Sequence, residues 1–201
     1  MHRSIPLPFI RLIRSTVLAA CALLALTLSA HLSSSSALQA QNSQWAVDKS
    51  ASSIGFTADS LFGDVPGTFH EWSFNGTINS DVTSAAGTLT VQVASIDTNN
   101  STRDDHLRNE DFFEVTRFPT ATFRIQSVEP DGEYLIVSGS LTIRDVTRPV
   151  EMEFKKSVTG NQAVLNGRML LNRTDYGIDY NSRLNPIEEE VVLEMKIVLK
   201  K

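Results

Sequence analysis

Cysteine is all but missing from this chain: Cys21 is the only one in 201 residues. No internal disulfide can therefore form, and burial of apolar surface has to hold the fold by itself. Histidine is scarce as well. Of four in total, only His70 and His106 fall beyond the first forty residues, which excludes a multi-histidine zinc site and leaves no recognisable ligand spacing for a carboxylate-rich one. No metal is expected. There is no G-x-S-x-G elbow and no glycine-rich phosphate loop, and Ser138-Gly139-Ser140 lies inside a strand pattern, so no catalytic residue is assigned. The Asn75, Asn100 and Asn172 sequons matter only in a glycosylating host. No apolar run reaches the roughly 20 residues that a spanning helix needs.

The longest apolar run, Thr16 to Leu28, sits in a segment unlike the rest. Arg3, Arg11 and Arg14 precede it, and small residues around Ala37 and Ala40 offer cleavage sites, the pattern of a secretory signal peptide over residues 1–40. The exported chain then begins near Gln41. Lipid attachment at Cys21 is the weaker alternative, because the apolar run continues well past that cysteine. Residues 41–201 have the size of one ordinary domain. Removing the three leader arginines leaves fifteen basic against twenty-three acidic residues, a net charge of −8. Such a surface is poorly suited to nucleic acid or to anionic membranes.

Beyond residue 41 the dominant signal is alternation with period two, which puts successive side chains on opposite faces of a strand. Val150, Met152 and Phe154 alternate with Glu151, Glu153 and Lys155; Phe123 and Ile125 alternate with Arg124 and Gln126. Val191, Leu193, Met195, Ile197 and Leu199 repeat the pattern, as do Leu135, Val137, Leu141 and Ile143 around Gly139. Pro130-Asp131-Gly132 and Gly160-Asn161 supply hairpin turns. Further strands are expected at 45–47, 54–58, 68–78, 89–93 and 163–171. A helix is expected only over about Ser101 to Glu110, capped by Ser101 or Thr102.

Many strands with one apolar face and no helices to cover it must fold on themselves. Closure into an antiparallel β-barrel does so and removes exposed edges, although an immunoglobulin-like sandwich satisfies the same burial rule. The expectation is an all-β, extended barrel with one short helix. Eight strands enclose either a side-chain-filled core or one small apolar ligand.

Three stretches carry a family resemblance: SIDTNNSTRDDHLRNEDFF at 95–113, VTRFPTATF at 115–123 and SGSLTIRDVTRPV at 138–150. Together with WAVDKSASSIGF from Trp45 and LNRTDYGI at 171–178, they resemble the YceI-like family of lipocalin-like bacterial proteins. The resemblance implies a lipocalin-like barrel in the periplasm with an elongated apolar pocket for a polyisoprenoid or quinone-like lipid, and it implies no catalytic residues. Ala51, Ser60 and Asp145 depart from the family pattern, which puts head-group specificity in doubt.

On this reading the ligand wall is Phe123, Ile125, Leu135, Val137, Leu141, Val150, Met152, Phe154 and Met195, with Phe112 and Phe113 plugging one end and Trp72 near an entrance. Every barrel needs a core, so the same stripes would point inward without a ligand. Met152, Met169 and Met195 suit a flexible chain. The charged run Arg103 to Arg108 reads as a hydrogen-bonded cap over a barrel end, with His106 and Glu110 sharing a helical face. The rival readings are an enzyme using His106 with Asp104 or Asp105, and a filled barrel working through its acidic surface. Expected partners are the isoprenoid lipid, a membrane protein that gives or takes it, and a second copy of the chain. No cofactor is expected besides the lipid ligand.

Overall fold

The alternating pattern resolves into eleven antiparallel strands and one α-helix in the computed structural model, which describes residues 45–184 and 186–201. The expected signal peptide, Cys21 and the expected start near Gln41 lie outside the described residues. The strands are β1 (Ala46–Val47), β2 (Ser53–Ser60), β3 (Val65–Phe69), β4 (Trp72–Ile78), β5 (Ala85–Gln92) and β6 (Ile96–Asp97), followed by β7 (Thr120–Asp131), β8 (Tyr134–Ile143), β9 (Val146–Thr159), β10 (Gln162–Asn172) and β11 (Ile187–Lys200). Helix α1 (Ser101–Arg108) lies between β6 and β7.

Strands β7 to β11 form a run of neighbours, and β11 passes the ladder on to β2, with Met195 opposite Ile54. Closure is made by a jointed hairpin. One extended segment comprises β3 and β4 with a break at His70 and Glu71; its partner comprises β5 and β6 with a break at the 3-10 turn Val93–Ser95. The two pair on both sides of the joint, Trp72 opposite Val91 and Phe69 opposite Ile96. Because β3 also pairs with β2 while β5 pairs with β7, this hairpin joins the two ends of the sheet. Counting each jointed segment once gives eight strands around the barrel.

The sequence expectation of one strand over 68–78 is corrected here. Two residues of the first segment face four of the second across the joint, 70–71 against 92–95, and such an insertion bends the strands sharply. His70 N–H donates to Ser95 O at 3.2 Å and Gln92 N–H to Glu71 O at 2.8 Å, which carries the ladder across the bend. Along the outer edge of β4 no described strand pairs. The segment before β2 packs near it instead: Trp45 Nε1–H donates to Ser80 O at 2.8 Å, and Val47 packs against the cluster that holds Trp72 and Ile54.

Both hairpin turns expected from glycine are present, with Gly132 and Gly160 each at φ +57°, the left-handed region where a side chain is disfavoured. The helix is shorter than expected, and its cap is neither Ser101 nor Thr102. Asn100 takes that position, its side chain accepting from Arg103 N at 3.1 Å.

Several inward phenylalanines pack against glycines of the wall. Phe56 stands opposite Gly67 in the register and Phe154 opposite Gly167; a methyl group added at either glycine would overlap the ring. Gly139 likewise seats Phe123, and a Cβ there would meet Phe123 Cε2 at 2.5 Å. The rings thus occupy space that wall side chains would otherwise fill.

Gly67→Ala should therefore destabilise the protein by about 1–3 kcal/mol, because an added methyl in a packed wall forces the ring aside. Combining it with Phe56→Ala removes the overlap, so a double-mutant cycle in urea unfolding should show positive coupling. Strict additivity would show that the contact does not constrain the wall.

Candidate functional site

The barrel is not filled by its own side chains. A cavity of about 760 Å³ opens at the end where α1 lies, and a second of about 130 Å³ sits deeper. Leu89, Phe123, Leu141, Leu193 and Met195 line both and form a waist between them.

The larger chamber draws its wall from alternate residues of β2, Ile54, Phe56 and Ala58, facing Val191, Leu193 and Met195 on β11. Leu89 and Val91 of β5, Ile143 of β8 and Leu171 of β10 continue it. The smaller chamber is lined by β4, β5 and β7 to β11, including Ile125, Leu135, Val137, Val150, Met152 and Phe154. All three methionines named from the sequence, Met152, Met169 and Met195, border it. Apart from Ser84 its lining is aliphatic, aromatic or thioether.

The sequence-predicted residues thus divide between the chambers. Phe123, Leu141 and Met195 sit at the waist; Phe112 and Phe113 line only the larger chamber; Ile125, Leu135, Val137, Val150, Met152 and Phe154 line only the smaller. Trp72 does not stand at an entrance. It is buried between Ile54, Leu89 and Val91 and borders the smaller chamber, because the bend at 70–71 turns its strand inward. Most of the larger chamber's wall was not anticipated. Its signal was the Ile54-x-Phe56-x-Ala58-x-Ser60 alternation of β2, muted by small residues at the end nearest the opening.

Polar residues gather at the α1 end. Asp104 is buried and accepts from Thr98 N at 2.9 Å and from Thr98 Oγ1 at 2.6 Å. Arg103 donates to Thr98 O at 2.7 Å, and Arg108 to Ala94 O at 2.9 Å and Ile96 O at 2.8 Å. These side chains therefore pin the helix to β6 and the bend, as a structural cap does. His106 pairs with Asp111 at 2.9 Å and not with Glu110, because α1 ends at Arg108 and the chain turns away. Its ring packs edge-on to Phe112 at 5.0 Å and Tyr180 at 4.9 Å. With Asp104 held by Thr98 and Asp105 paired to Arg108, neither carboxylate is joined to His106. No cluster of three metal-ligating side chains exists among the described residues.

A second polar anchor escaped the sequence reading. Arg173 is buried at 6% exposure and lines the larger chamber, yet its hydrogen-bond partners among the described residues are all backbone carbonyls: Ile178, Tyr180, Ile187 and Glu188. Burial pulls its guanidinium below the ordinary value, while Glu189 and Asp179 pull the other way. By taking up these carbonyls it ties the long β10–β11 connection to the barrel end. Ser60, a departure from the family pattern, also lines this end, whereas Ala51 lies in a 3-10 turn that touches neither chamber.

Residues 45–199 match the YceI-like domain family. Protein YceI of Shigella flexneri is 42% identical over 92 residues, 44% of this chain and 47% of that protein, so the match spans about half the relative's length. Protein YceI of Salmonella arizonae is 33% identical over 140 residues, 65% of this chain and 71% of that one. Among solved structures, BcnA of Burkholderia cenocepacia superposes with a TM-score of 0.71 at 20% identity, covering 76% of this chain and 99% of that one. A polyisoprenoid binding domain from Saccharophagus degradans gives 0.61 at 16%, covering 80% and 99%. At these identities the structures establish likeness of fold.

Beside the chamber, Tyr176 is 2% exposed and its hydroxyl has no hydrogen-bond partner among the described residues. Burial chiefly raises its pKa above the ordinary 10.0. A folded value above the unfolded one leaves stability intact below about pH 10 and erodes it as pH rises towards the folded value. Tyr176→Phe should therefore equal or exceed the parent at neutral pH, by up to about 1–2 kcal/mol, and lose less above pH 10. Urea unfolding at both pH values checks this; a weaker variant at neutral pH would reveal a bound partner for the hydroxyl.

Proposed function

The chain belongs to the YceI-like domain family, and from that premise we propose that it is a periplasmic binding and carrier protein for a polyisoprenoid or isoprenoid-quinone-like lipid. The observation that carries this reading is the two-chambered lumen, apolar in depth apart from Ser84, with its polar residues gathered at the α1 end. Its larger chamber falls in the range of about 300–1,000 Å³ usual for small-molecule sites. The polyisoprenoid binding of the Saccharophagus degradans neighbour supports the same ligand class.

In this reading the tail enters beside α1, fills the larger chamber and passes the waist towards the methionine-lined one. Each buried CH₂ contributes about 0.8 kcal/mol before ordering costs, so a prenyl chain needs no special polar contact for affinity. The methionine side chains have several rotatable bonds and can yield space where a β-branched side chain would not. The head group stays among the polar residues of the opening. The protein acts by shielding the tail from water and carries no catalytic role; its donor or acceptor is a membrane or a membrane protein, and export places it in the periplasm. The rival enzyme reading requires a proton-transfer pair at His106, and the carboxylates proposed for it are bonded elsewhere.

Mass spectrometry of the organic extract of protein purified without unfolding should show an apolar species in about equimolar amount; nothing extractable would sink the reading. Met152→Glu places a carboxylate in the smaller chamber, where it is costly to desolvate, and should lower the retained amount or shorten the retained chain while circular dichroism stays that of a folded barrel. Glu153→Gln, facing solvent one position along, should change neither. His106→Ala should leave lipid retention in place; a turnover lost with unchanged melting temperature would favour the enzyme instead.

A further inference from the structure

Two loops at the open end of the barrel carry apolar side chains where turns ordinarily carry polar ones. Between β2 and β3, Gly63 N–H donates to Ser60 O at 2.9 Å, closing a tight turn that has Leu61 and Phe62 at its corners. Gly63 takes φ +109°, a conformation open to glycine. Turn corners favour Gly, Pro, Asn, Asp and Ser, yet here Leu61 is 66% and Phe62 80% exposed. The β10–β11 connection brings Leu184 to the surface at 85% exposure. Leu61 N–H donates to Pro186 O at 3.2 Å, so the two loops are joined side by side.

These tips are continuous with the ligand chamber. Ser60 and Val65, on either side of the first turn, line it, as do Ser182 and Ile187 on either side of Leu184. The same end of the barrel therefore opens the lumen and displays its most exposed large apolar side chains.

We infer that this rim docks on a zwitterionic lipid bilayer, with Leu61, Phe62 and Leu184 entering the head-group boundary so that the lumen opens towards the membrane. The inference rests on the lipid-carrier reading and adds how the lipid arrives. Charge selects the occupant. Asp59, Asp64 and Glu188 to Glu190 are exposed around the tips with Arg183 among them. An acidic ring suits the outlying ammonium groups of phosphatidylcholine or phosphatidylethanolamine and is repelled by an anionic surface. A second copy docked through the same face would set that ring against itself, since a two-fold interface repeats one patch on both sides.

The test uses the exported protein with phosphatidylcholine vesicles, alone and mixed with phosphatidylglycerol. Flotation should recover the protein with the first and recover less as phosphatidylglycerol is added. Phe62→Trp should show blue-shifted emission that brominated acyl chains quench. The triple variant L61S, F62S and L184S should partition at least about tenfold less, since it removes the apolar area that the rim would bury, with melting temperature unchanged. Absence of vesicle binding by the parent overturns the docking inference, and the extract alone decides the carrier reading. Vesicle binding that survives the triple change also overturns it, as does a self-association, seen by analytical ultracentrifugation, that the triple change abolishes while vesicles fail to bind.

Discussion

Phenylalanine rings packed on glycines of the barrel wall are the constraint on which we take the lumen to depend. A sheet with one apolar face must bury that face, and an eight-stranded barrel is small enough for its own side chains to fill it. Here Phe56, Phe123 and Phe154 spend their bulk against the backbone of Gly67, Gly139 and Gly167. A β-carbon at those positions would drive the rings inward, and the chambers beyond them depend on that being avoided. The glycines also let strands bend closely, so one set of residues serves both curvature and cavity.

Closure follows from a second local device, the joint at His70–Glu71 and Val93–Ser95. Two straight hairpin strands could not pair with β2 and β7 at once; an unequal insertion bends them so that one half serves each neighbour. The joint also sets the position of α1, since Arg108 reaches back to Ala94 and Ile96 on the inserted turn. The charged run that invites an active-site reading is consumed in holding this end: Asp104 and Arg103 on Thr98, Arg108 on backbone carbonyls. Arg173 does the equivalent for the opposite loop. Buried charge in this protein orders the opening and leaves the interior apolar.

Under the proposed function such an arrangement divides the labour of a carrier between depth and rim. Affinity for a long chain grows with buried apolar area and needs few directional contacts, so the wall can be plastic. The smaller chamber's methionines fit that requirement. A carrier's rim would have to be ordered to present a head group and to meet a donor surface, and here it is the rim that holds the dense hydrogen bonding.

The sequence by itself determined the all-β class, the alternation of β7, β8, β9 and β11, both glycine turns and the placement of the helix, because each is written in spacing between near neighbours. It also identified inward residues such as Phe123, Met152 and Met195, since period two marks a face. What alternation cannot express is how far along the barrel each inward residue lies or what stands opposite it. The division into two chambers, the waist, the contribution of β2 and the burial of Trp72 depend on register between strands far apart in the chain and on the joint. Arg173 was invisible for the same reason: its partners are carbonyls, which every residue possesses, and only the folded loop brings four of them to one guanidinium.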